Sequence, residues 1–72
     1  MEGAYSLEAF PHNLRELMIK KEINTTKLAK TLSVCRMSIY NWRCGRADPT
    51  LRRIFELSGI FGVPITELLK EN

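Results

Sequence analysis

The chain has 72 residues, 44% of them hydrophobic and 26% charged, with a formal net charge of +3, the size and composition of one small globular domain with no room beside it for a sensing or catalytic one. No apolar run approaches the roughly 20 residues that span a bilayer. The start, Met1-Glu2-Gly3-Ala4-Tyr5-Ser6, reads as neither a signal peptide nor a membrane anchor.

The apolar residues recur at helical spacing, with no sustained alternation of the strand kind. Residues 1–9 read as an N-terminal arm and residues 10–72 as the domain proper. A first helix is predicted from Phe10 or Pro11 to Glu22, with Pro11 suited to its opening position and Leu14, Leu17 and Met18 facing inward. Asn24 is a good N-cap for a second helix from Thr25 to Leu32, whose inner face is Leu28, Ala29 and Leu32. Ser33-Val34 is a tight connection. A third helix starts near Cys35 or Arg36 and stops before Gly45, a residue at ease in the left-handed conformation that closes helices. Asp48-Pro49 reads as cap and first position of a fourth helix carrying Leu51, Ile54, Phe55 and Leu57. Gly62 ends it, and Val63-Pro64 leads into a short fifth helix with Ile65, Leu68 and Leu69. The expected fold is all-α, a compact five-helix bundle.

Charge is concentrated in the middle of the chain. Lys27 to Arg53 holds seven basic residues and one acidic, a local net charge of +6 that leaves −3 for the rest of the chain. A basic centre between acidic ends points to a polyanion-binding face. Helices two and three are joined by a turn of only a few residues, and the small Ala29 lets them cross closely. This is the helix-turn-helix arrangement, whose second helix fits the DNA major groove. At about 100° per residue, Cys35, Ile39 and Trp42 share the inward face of helix 35–44. Met37, Tyr40, Asn41 and Cys44 share the outward face, with Arg36 and Arg43 on a flank. Asn can pair bidentately with adenine, Arg with guanine, and Met can touch the thymine methyl. Asn41 is the most telling of these, because Asn is a poor mid-helix residue without another reason to be there.

Other chemistry has little to build on. Cys35 and Cys44, on one helix, are separated by about 13 Å along its axis, beyond the roughly 7 Å between Cα atoms that a disulfide tolerates. With His12 the only histidine, no zinc-ligand spacing arises, and unpaired thiols suit a reducing cytosol. No catalytic residues, no cofactor, no metal and no small-molecule ligand are expected, and the chain does not read as an enzyme.

The segments Leu14-Arg15-Glu16-Leu17, Leu28-Ala29-x-x-Leu32-x-Val34, Ile39-x-x-Trp42-x-x-Gly45, Pro49-Thr50-Leu51 and Phe61-Gly62-Val63-Pro64-Ile65-x-x-Leu68-Leu69 together resemble the Xre/Cro-type helix-turn-helix family, which includes the lambdoid phage repressors. The resemblance covers about residues 12 to 69. It implies a lambda-repressor-like bundle in which Arg36, Met37 and Asn41, with Tyr40 beside them, contact bases. It also implies phosphate contacts from Asn24 and Thr25 at the start of helix two and from the loop after helix three, Cys44 to Arg46; Ser38 and Arg43 on helix three are expected to join them. Dimerisation near helix five, through Ile60, Phe61, Ile65, Leu68 and Leu69, is likewise implied. Three positions depart from the family pattern: Ser33 stands where glycine is usual, Arg43 where an acidic residue is common, and Cys35 where Ser or Thr caps the helix.

The function these readings imply is a sequence-specific, double-stranded-DNA-binding transcriptional regulator, a repressor, that binds an inverted repeat as a homodimer in the cytoplasm, at a bacterial nucleoid or in a phage-infected cell. Two alternatives remain at this point. One is a protein-interaction module such as an antitoxin or anti-repressor that binds DNA only for autoregulation. The other is an architectural or recombination accessory factor.

Overall fold

A computed structural model of the chain describes residues 5–71. After a short 3-10 turn at Leu7–Ala9 come α1 (Phe10–Lys20), α2 (Thr25–Leu32), α3 (Arg36–Cys44), α4 (Leu51–Phe61) and α5 (Ile65–Leu69). The described residues contain no strand, only a single antiparallel bridge between Tyr5 and Lys70. The all-α, five-helix expectation is the observed architecture.

One device ends four of the five helices. After α1, α2, α3 and α4 the chain passes through a left-handed residue: Glu22, Ser33, Gly45 and Gly62, with φ of 57°, 59°, 76° and 68°. The next amide then reaches back five residues: Ile23 to Met18, Val34 to Ala29, Arg46 to Asn41 and Val63 to Ser58, at 2.9–3.1 Å. This is the Schellman closure, which satisfies carbonyls left over at a helix C-terminus. Gly45 and Gly62 fit it without strain, whereas Ser33 and Glu22 hold a conformation costing an L-residue roughly 1–2 kcal/mol. The α1 closure also shortens that helix: it ends at Lys20 rather than Glu22, because Glu22 is itself the left-handed residue.

The helix starts follow side-chain caps where they exist. Asn24 Oδ1 accepts the Lys27 amide at 2.8 Å, as the sequence implied. α4 is a correction: its N-cap is Thr50, whose hydroxyl accepts the Arg53 amide at 3.2 Å, so the helix begins two residues later than Asp48-Pro49 suggested. Pro49 is instead buried beneath the loop. Cys35 occupies the N-cap of α3 without a capping bond and is exposed. Placing it on the inward face was therefore wrong: a residue outside the helix does not follow the helix's periodicity.

The core gathers Phe10, Leu14, Leu17 and Met18 from α1, Leu28, Ala29 and Leu32 from α2, Ile39 and Trp42 from α3, Ile54, Leu57 and Phe61 from α4, and Leu68 from α5. One buried polar side chain closes the bundle. Asn13 Nδ2 donates to Leu68 O at 2.9 Å and Lys70 O at 2.8 Å, fastening α1 to the end of α5. Of the segment read as an arm, residues 1–4 lie outside the described residues. Residues 5–9 run along α5, where the Ser6 amide donates to Leu69 O at 2.9 Å and its hydroxyl to Glu71 at 2.7 Å.

Candidate nucleic-acid interface

α3 packs across α1 and α2, held by the fully buried Ile39 and by Trp42, so Trp42 is a core residue and not a stacking platform. What faces away follows directly. Met37 is 61% and Tyr40 47% exposed, and Arg36 and Cys44 are exposed at the two ends. Asn41 is half-buried; its carbonyl closes the helix onto the Arg46 amide, and its amide group takes no part in the side-chain hydrogen bonds among the described residues. The Arg46 guanidinium lies over the Tyr40 ring, 5.7 Å from its centre, a cation–π contact that spreads the ring against the loop and keeps a positive charge beside it. Arg36, Met37, Tyr40 and Asn41 thus share one outward surface.

The residues expected to meet phosphates divide in two. Asn24, Thr25 and Arg43 converge at the start of α2, where the Arg43 guanidinium donates to Thr25 Oγ1 at 3.1 Å. Nε of Arg43 is buried without a partner, so this arginine is committed inward, and its half-buried side chain ties α3 to α2. Asn24 uses its carbonyl oxygen as the cap, which leaves its amide protons outward. Cys44 and Arg46 are exposed beyond the end of α3. Ser38, half-buried, points to Cys35, with Oγ 3.4 Å from Sγ. The neighbouring Ser38 hydroxyl, and after it the nearby Ser38 backbone amide, hold the Cys35 thiol below its ordinary pKa.

One contributor carried no sequence signal of its own. Arg15 of α1 donates through Nη1 to the carbonyl of Arg43, satisfying an orphan carbonyl at the C-terminus of α3 and placing a cation where the helix dipole favours one. Leu14-Arg15-Glu16-Leu17 was legible as helix, but nothing in its spacing links it to residue 43.

The expected dimer residues are placed differently from the reading. Phe61 (2% exposed) and Leu68 (0%) belong to the core and present no surface to a partner, because a five-residue α5 must give up its apolar side to be held at all. Ile60, Ile65 and Leu69 are half-buried against the same core. On α4, by contrast, Leu51 and Phe55 are freely exposed.

Two short helices joined through a left-handed residue, the second held against α1 and α2 and bearing an exposed polar and basic face, define a helix-turn-helix DNA-binding domain. The chain belongs to the Cro/C1-type HTH DNA-binding domain family, which it matches over residues 13–71. It is 25% identical over 63 residues to the cryptic phage CTXphi transcriptional repressor RstR of Vibrio cholerae, an alignment covering 88% of this chain and 57% of that protein. Its fold is similar to that of a transcriptional regulator from Listeria innocua, with a TM-score of 0.77 and 20% identity over 96% of this chain and 60% of the other. The chain therefore spans a little under two thirds of the length of each. Its family and fold are those of DNA-binding regulators and not of enzymes. No helix among the described residues is long and apolar enough to cross a membrane.

Proposed function

We propose that the chain is a sequence-specific transcriptional repressor that lays α3 in the DNA major groove and binds an inverted repeat as a homodimer. The observation that carries this reading is the outward face of α3: Met37 and Tyr40 exposed, Asn41 uncommitted, Arg36 and Arg46 at the edges. Such a face is costly in water and suited to base edges, since each of these groups has a partner in the major groove. Asn41 and Arg36 read bases, Met37 covers a thymine methyl, and Tyr40 sits between base and backbone. Asn24, Thr25, Ser38, Cys44 and Arg46 meet phosphates, with free amides at the α2 N-terminus adding to the anion site. Arg43 positions α3 and contributes charge. Repression follows from occupancy, the bound protein excluding polymerase, and similarity to a phage repressor supports that direction.

Selection of bound duplexes from a random pool tests the reading. An enriched inverted repeat is the expected result, with Asn41→Ala costing roughly 1–3 kcal/mol on it and relaxing the choice of base at one position. Uniform weakening on every duplex would remove Asn41 from base reading. No enrichment at moderate salt would overturn the regulator itself.

A further inference from the structure

α4 carries a face that no other described residue covers. Leu51, Phe55 and Gly59 follow one another at four-residue spacing on one stripe of the helix, with Leu51 66% and Phe55 57% exposed. Gly59 is the unusual member. A mid-helix glycine is unfavourable relative to alanine, and such a residue is normally explained by a neighbour too close for a Cβ. Here a Cβ at residue 59 would meet nothing within 4 Å. The notch has no occupant among the described residues.

We infer that this face is a two-fold interface with a second copy of the chain, formed by antiparallel α4 helices crossing at Phe55. The stripe is complementary to itself about that residue. Leu51 and Gly59 lie four residues, about 6 Å, to either side. A two-fold axis at Phe55 therefore seats each Leu51 on the other copy's Gly59 and stacks the two Phe55 rings at the centre, as an isologous contact requires. Charge follows the same symmetry. Arg52, its side chain 84% exposed and only 3.6 Å from Glu56 within its own helix, comes within reach of Glu56 on the other copy, and the antiparallel helix dipoles attract. The inference deepens the homodimer reading above by moving the interface from α5 to α4, and its test needs no DNA.

Sedimentation equilibrium of the full chain, taken up to about 1 mM to capture weak association, should fit a monomer–dimer equilibrium. Phe55→Glu should weaken the dimer at least tenfold. Gly59→Leu should do the same while raising the melting temperature of the monomer, because it removes a helix glycine into open space and blocks only the partner's Leu51. A purely structural glycine would give the opposite sign of thermal shift. A wild-type chain that stays monomeric, or a dimer that survives both substitutions, overturns the α4 interface. Both variants should still bind a duplex carrying a single half-site, so loss of the interface and failure of the DNA reading are separate results.

Discussion

Removing the donors of Asn13 should unfasten the bundle without touching α3. The side chain is 8% exposed and its Nδ2 satisfies two carbonyls at the end of α5, Leu68 O at 2.9 Å and Lys70 O at 2.8 Å. In Asn13→Asp the volume is kept and both donors become acceptors. The Leu68 carbonyl, buried with its residue, then loses its partner at a cost of about 1–3 kcal/mol, while the half-exposed Lys70 carbonyl recovers water and adds little. Repulsion between carboxylate and carbonyls adds further, so about 2–3 kcal/mol is expected. For a chain of this length each kcal/mol moves the melting temperature by roughly 4–8 °C, giving a drop of about 8–24 °C by circular dichroism. A total stability of about 4–11 kcal/mol makes that loss a large fraction of the whole. A half-site duplex, titrated well below the transition, should bind the variant as it binds the wild type. A drop below about 3 °C would refute the latch, and weakened DNA binding at low temperature would show that the Asn13 latch to α5 is coupled to the interface.

Two closures are held by residues that strain them: Ser33→Gly and Glu22→Gly should each raise stability by about 0.5–1 kcal/mol, less than the left-handed cost because glycine also frees the unfolded chain, as thermal melts would show. Cys35→Ser should add about 0.5–1 kcal/mol by supplying the cap that α3 lacks, and denaturant titration would detect it. Since Ser38 holds the Cys35 thiol below its ordinary pKa, Cys35 carries more thiolate near neutral pH than an unperturbed cysteine. Ser38→Ala should therefore shift the pH profile of its alkylation upward and slow labelling at pH 7, read site by site by mass spectrometry. Arg15→Ala should release the α3 C-terminus, seen as faster amide exchange at Gly45 and Arg46, and weaken binding to all duplexes alike.

The helices were legible because their signals are local. Asn24 announces α2 by its chemistry, Gly45 and Gly62 announce two stops, and the spacing of Ile39 and Trp42 fixes which way α3 faces. The errors arose where two local signals competed or where no local signal exists. Asp48-Pro49 and Thr50 both qualify as a helix start, and burial of Pro49 decides for Thr50. Glu22 has no residue-type mark of a left-handed closure; the hydrogen bond from the Ile23 amide to the Met18 carbonyl imposes it. Phe61 and Leu68 look the same in sequence as Leu51 and Phe55, and only packing tells which pair the core consumes. The outward face of α3 was readable for the same reason as its inward one, whereas the bond from Arg15 to Arg43 spans 28 residues and belongs to the tertiary structure alone.

The arrangement around Arg43 shows how this small domain reconciles rigidity with a charged surface. On the proposed docking, a flank of α3 beside DNA would ordinarily carry solvated side chains, which lose rotamer freedom on binding. Arg43 instead directs its guanidinium to Thr25 and offers its carbonyl to Arg15, so α1, α2 and α3 are cross-tied at the end of α3 within the protein itself. The ordering cost is met during folding, and Met37, Tyr40 and Asn41 project from a fixed base, the kind of preorganisation that raises affinity without new contacts. Arg43→Lys separates this role from simple charge. Lysine keeps the positive charge but, as a compact ammonium on a flexible stem, lacks the planar fork. If positioning dominates, Arg43→Lys should weaken binding nearly as much as Arg43→Ala while leaving the salt dependence of binding close to wild type. If charge dominates, lysine should restore affinity, and only alanine should flatten the salt slope, by about one counterion.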